Sequence, residues 1–294
     1  MGLYYSLSDW GHSQYPAFTD DMRPYRFGDY PRPSPGEWTA YRTYVKDQLT
    51  ELLSWYGPID LLWFDGQWER SREEWDCADL EAHIRRLAPD IVINDRLIGS
   101  GDYRTPEQFI PAQPLKEPWE CCMTMCDSWS HVPEDHNYKS VHEIIRTVVE
   151  VVAKGGNLLL NVGPRADGSL VPEQAALFAG LAVWMRTNGE AVRGVDPGLE
   201  PWQYYGPSTK SGQTVYLFAL SEPIEVVTVR GVRVRRVKSV RQLGSETDLR
   251  FTYRTAIEDS MLHDPVGEIN IDATTLEGSG PVRVFRIEFE HASD

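Results

Sequence analysis

The stretch IDLLWFDG, residues 59–66, is an apolar run that ends in a carboxylate. Its mostly apolar residues predict a buried strand, and Asp65 follows at the point where that strand ends. In parallel α/β folds, the carboxyl ends of the strands are where ligands bind and chemistry takes place. Asp65 is therefore either a loop residue entering water or a catalytic group, and a second carboxylate would favour the catalytic interpretation.

Strand and helix patterns alternate around this run as far as about residue 195. The predicted strands comprise residues 2–7, 59–65, 91–96, 119–125 and 157–162. The predicted helices comprise residues 37–56, 75–87, 140–153 and 172–187. This alternation predicts an α/β fold with a parallel sheet, and the polar residues at several strand ends favour a (β/α) barrel.

The sequence pattern changes after Gly194. Short alternating apolar stretches, separated by turn residues, occupy residues 201–290 and show no helical period. This alternating pattern predicts an all-β module, most simply a sandwich. We therefore predict a barrel-type catalytic domain over residues 1–195 and a small β-sandwich domain over residues 196–294, joined by a linker at residues 195–198.

The composition excludes several classes of partner. The net charge is −15, which argues against nucleic acid or an anionic membrane surface as a ligand. No apolar run approaches the roughly 20 residues of a membrane span. The 10 Trp and 14 Tyr residues suit a carbohydrate ligand, although packing explains them equally well. The four cysteines lack the spacing of a zinc site, so we expect buried thiols.

A pair of carboxylates would suit the hydrolysis of a glycosidic bond. Retaining enzymes place two carboxyl groups about 5 to 5.5 Å apart, one as nucleophile and one as acid/base. Asp65 suits the nucleophile role. The candidates for the second role are Glu107, in the loop after the third predicted strand, and Glu120, at the start of the fourth.

Seven motifs in a fixed order carry a family resemblance. They are GLYYSLSDW (2–10), LLWFDGQW (61–68), INDR (93–96), TPEQ (105–108), PWECCMTMCDSW (118–129), GGNLLLNVGPRADG (155–168) and NGEAVRG (188–194). This set resembles the α-L-fucosidases of glycoside hydrolase family 29. The resemblance implies a barrel followed by a β-sandwich, hydrolysis with retention of configuration, and no metal or organic cofactor. It also implies a fucosylated oligosaccharide or glycoconjugate as substrate.

The resemblance assigns the catalytic roles residue by residue. Asp65 corresponds to the nucleophile of the Trp-Phe-Asp-Gly motif. Glu107 is expected to be the acid/base, because the loop after the Asn-Asp-Arg strand often supplies it in this family. Glu120 is the alternative.

Four further residues would bind the sugar according to the same resemblance. Arg96 corresponds to a sugar-contacting arginine, although an ion pair with Asp95 is the structural alternative. Tyr5, Trp63 and Trp119 would line the sugar pocket, although aromatic residues on strands also serve as core.

The sequence departs from the family in two ways. The family's adjacent histidines, which bind the fucose hydroxyls, have no counterpart here. Only five or six barrel strands are predicted, whereas a complete barrel has eight in about 250 residues. We therefore expect a barrel that is incomplete at its N-terminus and an activity that is low or absent. Two alternatives stay open: a noncatalytic carbohydrate-binding remnant, and a barrel glycosidase that acts on another sugar.

Overall fold

The computed structural model describes residues 1–15, 32–276, 278 and 280–290. The chain forms two compact units. The first comprises residues 1–105 and 116–119, and the second comprises residues 106–115 and 120–294.

The first unit is a parallel sheet with helices packed on one face. Its strands are β1 (Gly2–Ser6), β2 (Leu61–Asp65) and β3 (Val92–Ile93), in the order β1-β2-β3. Its helices are α1 (Pro35–Trp55), α2 (Arg72–Trp75) and α3 (Cys77–Leu87). Ser34 and Glu37 start α1 with reciprocal side-chain-to-backbone hydrogen bonds, and Pro35 supplies a favourable first residue.

The alternation of side chains along β1 and β2 separates a core face from a polar face. Tyr5 pairs with Phe64, and both belong to the core formed with α1 and α3. Tyr4 pairs with Trp63 and Ser6 pairs with Asp65, so these four side chains project from the opposite face. The apolar face therefore anchors the strands, and the other face is left for polar groups.

The second unit begins with a pair of parallel strands and two helices. Strands β4 (Glu120–Thr124) and β5 (Asn157–Asn161) pair in parallel. Helix α4 (Val141–Ala153) lies between them in the chain, and α5 (Pro172–Asn188) follows. Ser140 caps α4 through the same reciprocal arrangement, here with Glu143.

The rest of the second unit is antiparallel. The strands are β6 (Asp196–Pro197), β7 (Ser208–Ser211), β8 (Thr214–Ala219), β9 (Val226–Arg233), β10 (Val237–Gln242), β11 (Phe251–Thr255), β12 (Val266–Asp272) and β13 (Arg283–Phe289). They form a five-stranded sheet, β10-β13-β8-β7-β6, and a three-stranded sheet, β11-β12-β9. Leu217 and Phe285 of the first sheet share a buried core with Val229 and Ile269 of the second, which makes this region a sandwich.

The opposite face of the five-stranded sheet packs on the helices of the same unit. Phe218 and Val284 share a buried cluster with Ile145 of α4 and Trp184 of α5. The Trp184 indole also donates to the carbonyl oxygen of Val282 at 2.9 Å.

The predicted succession of parallel α/β elements and an antiparallel β-region is confirmed, with three corrections. The strand predicted over residues 91–96 is paired only at Val92–Ile93, because the next residue, Asn94, uses its side chain to bond to β2. The stretch predicted as a linker includes β6, which pairs with β7. Strands β7 and β12 were not predicted at all. The described residues contain no closed barrel, and the boundary between residues 195 and 196 stays a prediction.

Two of the compositional expectations have structural counterparts. All four cysteines are buried thiols, as predicted. Across the ranges that the structure describes, no helix has the length and apolar character needed to cross a bilayer.

Candidate active site

Asp65 ends β2 and is held by two hydrogen-bond donors. Its Oδ1 accepts a hydrogen bond from Arg96 Nη1 at 2.7 Å, and its Oδ2 accepts one from the Tyr4 hydroxyl at 2.6 Å. The side chains of Asp65 and Arg96 are only 18% and 10% exposed. Charge-assisted bonds of this length to both oxygens fix the carboxylate in one orientation.

Arg96 is itself held from two sides. Its Nε donates to Thr105 Oγ1 at 3.3 Å, and that hydroxyl donates to Asp95 Oδ1 at 2.6 Å. Its guanidinium carbon lies 4.4 Å from the centroid of the Trp63 ring, which is within the range of a cation–π contact. Asp95 thus reaches Arg96 through Thr105, and Arg96 makes its short ion pair with Asp65.

The local backbone explains why Asp65 stands where it does. Asn94 is completely buried, and its side-chain amide accepts from the Phe64 N–H at 2.8 Å and donates to the Phe64 carbonyl oxygen at 2.9 Å. Gly66 has a φ of +73°, and a Cβ at this position would lie 2.4 Å from Ser8 Oγ. The turn after Asp65 therefore requires glycine for both its conformation and its close approach to the segment after β1.

The structure separates the two tyrosines of the YYS motif. Tyr4 bonds to Asp65 and stacks on Trp63, with ring centroids 5.6 Å apart. Tyr5 lies on the helix-covered face and donates to Gln48 Oε1 at 2.7 Å, and burial raises the pKa of its hydroxyl. Tyr5 therefore does not share a face with Asp65, although the sequence singled it out. Tyr4 was missed, and the strand register was the only signal that could have identified it.

Glu107 and Glu120 share a face in the second unit. Glu107 pairs with Cys122 of β4 through an isolated parallel bridge. Opposed residues and alternate residues of a strand project to the same side, so Glu107 and Glu120 point to the same face of this segment. Glu107 is exposed and Glu120 is partly buried.

The segment that carries Glu107 is fixed by the next residue. Gln108 adopts a φ of +58°, which is rare for a residue with a side chain. Its amide nitrogen donates to Thr124 Oγ1 at 2.9 Å, and its backbone N–H donates to the Cys122 carbonyl oxygen at 2.9 Å. These two bonds fix the Glu107 segment to Cys122 and Thr124 of β4.

Trp119 belongs to the first unit and is 1% exposed. Its segment pairs with Arg104 through an isolated bridge. Its indole nitrogen is buried with no acceptor among the described residues. The structure therefore brings Asp65, Arg96, Trp63 and Tyr4 together in one unit, and places Glu107 with Glu120 in the other.

No group of three or more His, Cys, Asp or Glu side chains suited to a metal ion occurs within the described part of the chain. The side chains around Asp65 are donors and aromatic rings. They suit a neutral ligand rich in hydroxyl groups.

A strand-end carboxylate fixed by an arginine is typical of an enzyme site in a parallel α/β fold. The sequence profile of the α-L-fucosidase family matches residues 1–190, and the chain belongs to that family.

Individual relatives agree with this assignment. The chain is 29% identical to an α-L-fucosidase from Branchiostoma floridae, over 85% of this chain and 57% of the relative. Among solved structures, α-L-fucosidase isoenzyme 1 from Paenibacillus thiaminolyticus is 30% identical, with a TM-score of 0.81 over 98% of this chain and 71% of that one. An α-L-fucosidase from Bacteroides thetaiotaomicron is 25% identical, with a TM-score of 0.79 over 99% and 67%. The chain spans about half the length of the curated relatives it matches.

Proposed function

We propose that this chain is a retaining α-L-fucosidase that removes α-L-fucose from oligosaccharides or glycoconjugates. The observation that carries the proposal is the fixed carboxylate of Asp65, bonded by Arg96 and Tyr4 at the carboxyl end of β2. Membership of the α-L-fucosidase family supplies the sugar. No step of the proposed reaction uses a cofactor.

The first step forms a glycosyl-enzyme. A carboxylate oxygen of Asp65 attacks the anomeric carbon of fucose, and the bond from that carbon to the leaving oxygen breaks. Glu107, in its protonated form, gives its proton to the leaving oxygen, so that the aglycone departs as a neutral alcohol. Arg96 and Tyr4 keep the attacking carboxylate oriented throughout.

The second step releases fucose. Glu107, now a carboxylate, takes a proton from a water molecule, and the water oxygen attacks the anomeric carbon. The ester bond to Asp65 breaks and its electron pair returns to the carboxylate. Two inversions at the same carbon give net retention. Glu120 is the alternative acid/base, because it shares a face with Glu107.

Sugar binding is proposed for the aromatic and cationic side chains around Asp65. Arg96 and Trp63 form a stacked pair beside the nucleophile, and Tyr4 extends that stack. Tyr4 fits the role first given to Tyr5, because only Tyr4 shares the Asp65 face. Trp119 stays a predicted pocket residue.

The proposed architecture places this chemistry in a (β/α) barrel. Parallel strands with helices on one face, as in β1 to β3, are the repeating element of such barrels. The proposed catalytic domain covers residues 1–195, and the proposed sandwich domain covers residues 196–294.

Hydrolysis of 4-nitrophenyl α-L-fucoside, combined with covalent trapping, tests the function. A fluorine at C2 slows release of the glycosyl-enzyme, so 2-fluoro-fucosyl fluoride should label one carboxylate. We expect peptide mass spectrometry to locate the label on Asp65 and no label in Asp65→Ala. Saturable fucose binding without turnover or label would instead favour the noncatalytic alternative. Turnover of a different aryl glycoside would favour a glycosidase with another specificity.

A further inference from the structure

Two tryptophans are half-exposed at the carboxyl end of the parallel sheet. Trp10 follows β1 and is 48% exposed, and Trp68 follows β2 and is 47% exposed. Strands β1 and β2 are neighbours, and Trp68 is the third residue after Asp65, so both tryptophans follow the strand ends at the sheet edge that carries the proposed nucleophile. The mechanism proposed above uses neither of them.

A buried carboxylate orients Trp10. Glu69 is only 7% exposed, and its Oε1 accepts a hydrogen bond from Trp10 Nε1 at 2.9 Å. Its other oxygen accepts from the Tyr15 hydroxyl. Glu69 directly follows Trp68, so these bonds tie the segment after β1 to the turn after β2. A buried carboxylate is costly without such donors, which argues that this pairing is specific.

Cationic and aromatic side chains pack around Glu69. Arg70 is buried and donates from Nη1 to the Glu69 carbonyl oxygen at 3.0 Å. Its guanidinium carbon lies 5.2 Å from the Tyr15 ring centroid and 5.5 Å from that of Trp38. Burial and the bond to Glu69 raise the pKa of the Tyr15 hydroxyl, so it remains a donor at neutral pH. The hydrogen bond to Glu69 orients the half-exposed Trp10 indole, although this ring is not part of the core.

We propose that Trp10, oriented by Glu69 and accompanied by Trp68, binds the pyranose ring of the leaving group and forms the aglycone subsite of this enzyme. The proposal rests on the proposed fucosidase function. An indole face suits the C–H face of a neutral sugar, and the net charge of −15 disfavours an anionic occupant. Binding of a remote ring also contributes to catalysis when its energy is realised in the transition state.

A pair of substrates tests the subsite directly. α-L-Fucosyl fluoride has no aglycone ring, whereas the trisaccharide 2′-fucosyl-N-acetyllactosamine presents two. We expect Trp10→Ala to lower kcat/KM for the trisaccharide about 10-fold more than for the fluoride, mainly through KM. Trp55→Ala is the matched control, because Trp55 is 69% exposed in the same unit but ends α1. Equal losses on both substrates, or no loss on either, would overturn the proposal.

Variants of Trp10 and Glu69 test whether Glu69 positions the Trp10 ring or only stabilises the fold. Trp10→Phe keeps an aromatic face and loses the N–H, so we expect about one third of the selective loss seen in Trp10→Ala. Glu69→Gln keeps an acceptor for Trp10 and should restore most of the trisaccharide preference that Glu69→Ala loses. If Glu69→Ala lowers both substrates equally, Glu69 has a structural role only.

The fluoride separates failure of the subsite from failure of the enzyme. Absence of fluoride turnover by the unmodified chain would contradict the proposed function, and binding then decides the subsite by itself. Saturation-transfer NMR with N-acetyllactosamine should show ring contacts in the unmodified chain and in Trp55→Ala, and none in Trp10→Ala. No contacts in any of the three would overturn the subsite.

Discussion

The two carboxylates proposed to act on the glycosidic bond occupy opposite environments. Asp65 ends a strand that is paired on both sides, is mostly shielded, and accepts bonds from a guanidinium and a phenol. Glu107 is exposed and lies in a loop segment that Gln108 bonds to β4. A nucleophile needs a fixed position, whereas an acid/base exchanges protons with water. The contrast therefore matches the division of labour in a retaining mechanism, and each prediction below is a way to break or sharpen it.

The largest effect is expected at the fixed carboxylate. Asp65→Asn removes the attacking oxygen's charge at nearly constant shape, so we expect kcat for 4-nitrophenyl α-L-fucoside to fall about 10⁴-fold. Asp60→Asn is the matched control, because Asp60 precedes β2 at its other end and is highly exposed. Near-normal turnover by Asp65→Asn would remove the basis for the comparison.

The exposed carboxylate should show a dependence on the leaving group. Glu107→Gln is expected to lower kcat/KM about 10²- to 10⁴-fold for an oligosaccharide, and far less for 2,4-dinitrophenyl α-L-fucoside, which needs no protonation. Sodium azide, which needs no general base, should then accelerate turnover and give a fucosyl azide that retains the substrate's configuration.

Glu120→Gln, measured in parallel, sharpens the assignment. If the azide effect and the leaving-group dependence appear in Glu120→Gln and not in Glu107→Gln, the acid/base is Glu120. If neither variant shows azide acceleration or leaving-group dependence, neither Glu107 nor Glu120 is the acid/base.

The next largest effect is expected from replacing Arg96, whose guanidinium bonds to Asp65. Arg96→Met leaves a shielded carboxylate without its cation, so we expect a loss of about 2 kcal/mol in the free energy of unfolding and about 10²-fold in kcat/KM. Arg96→Lys should recover part of both, because it restores the charge but not the bond to Thr105. Urea titration and initial rates measure the two quantities. Unchanged rates in Arg96→Met would contradict an orienting role.

The smallest effect separates the two adjacent tyrosines. Tyr4→Phe removes one bond to Asp65 that water can partly replace, so a loss of about 3- to 10-fold in kcat/KM is expected. Tyr5→Phe removes a bond to Gln48 on the other face of the sheet and should leave kcat/KM within about 2-fold of the unmodified chain. The reverse order of effects would restore the sequence-based choice of Tyr5.

Sequence reasoning reached those parts of the site that depend on position along the chain. Asp65 ends an apolar run, Arg96 closes the INDR motif that carries the family resemblance, and the structure joins them through a 2.7 Å bond. The choice between Tyr4 and Tyr5 depends instead on the parallel register with β2, which no local pattern encodes. Glu107 pairs with Cys122 next to Gln108, whose left-handed conformation composition does not predict.

The fold shows the same division. Long amphipathic helices such as α1 and α4 were predicted to within a few residues, because periodicity and caps are local signals. Strand β7 has the sequence STKS and was missed, since its polar residues give no apolar alternation and only its partner β8 makes it a strand. The short length of β3 also could not be predicted, because the hydrogen bonds of Asn94 end it.

Asn94 therefore acts as a substitute peptide group. Its amide offers one donor and one acceptor to Phe64, so the ladder continues through a side chain while the backbone is released to carry Asp95 and Arg96 away. Asp cannot donate, Leu can do neither, and Gln places the amide one methylene too far. In a saturation mutagenesis screen, position 94 should accept almost nothing but asparagine, although it never touches the sugar. Loss of function on substitution of this buried, uncharged residue would then show that its two bonds to Phe64 are needed where the chain leaves the sheet.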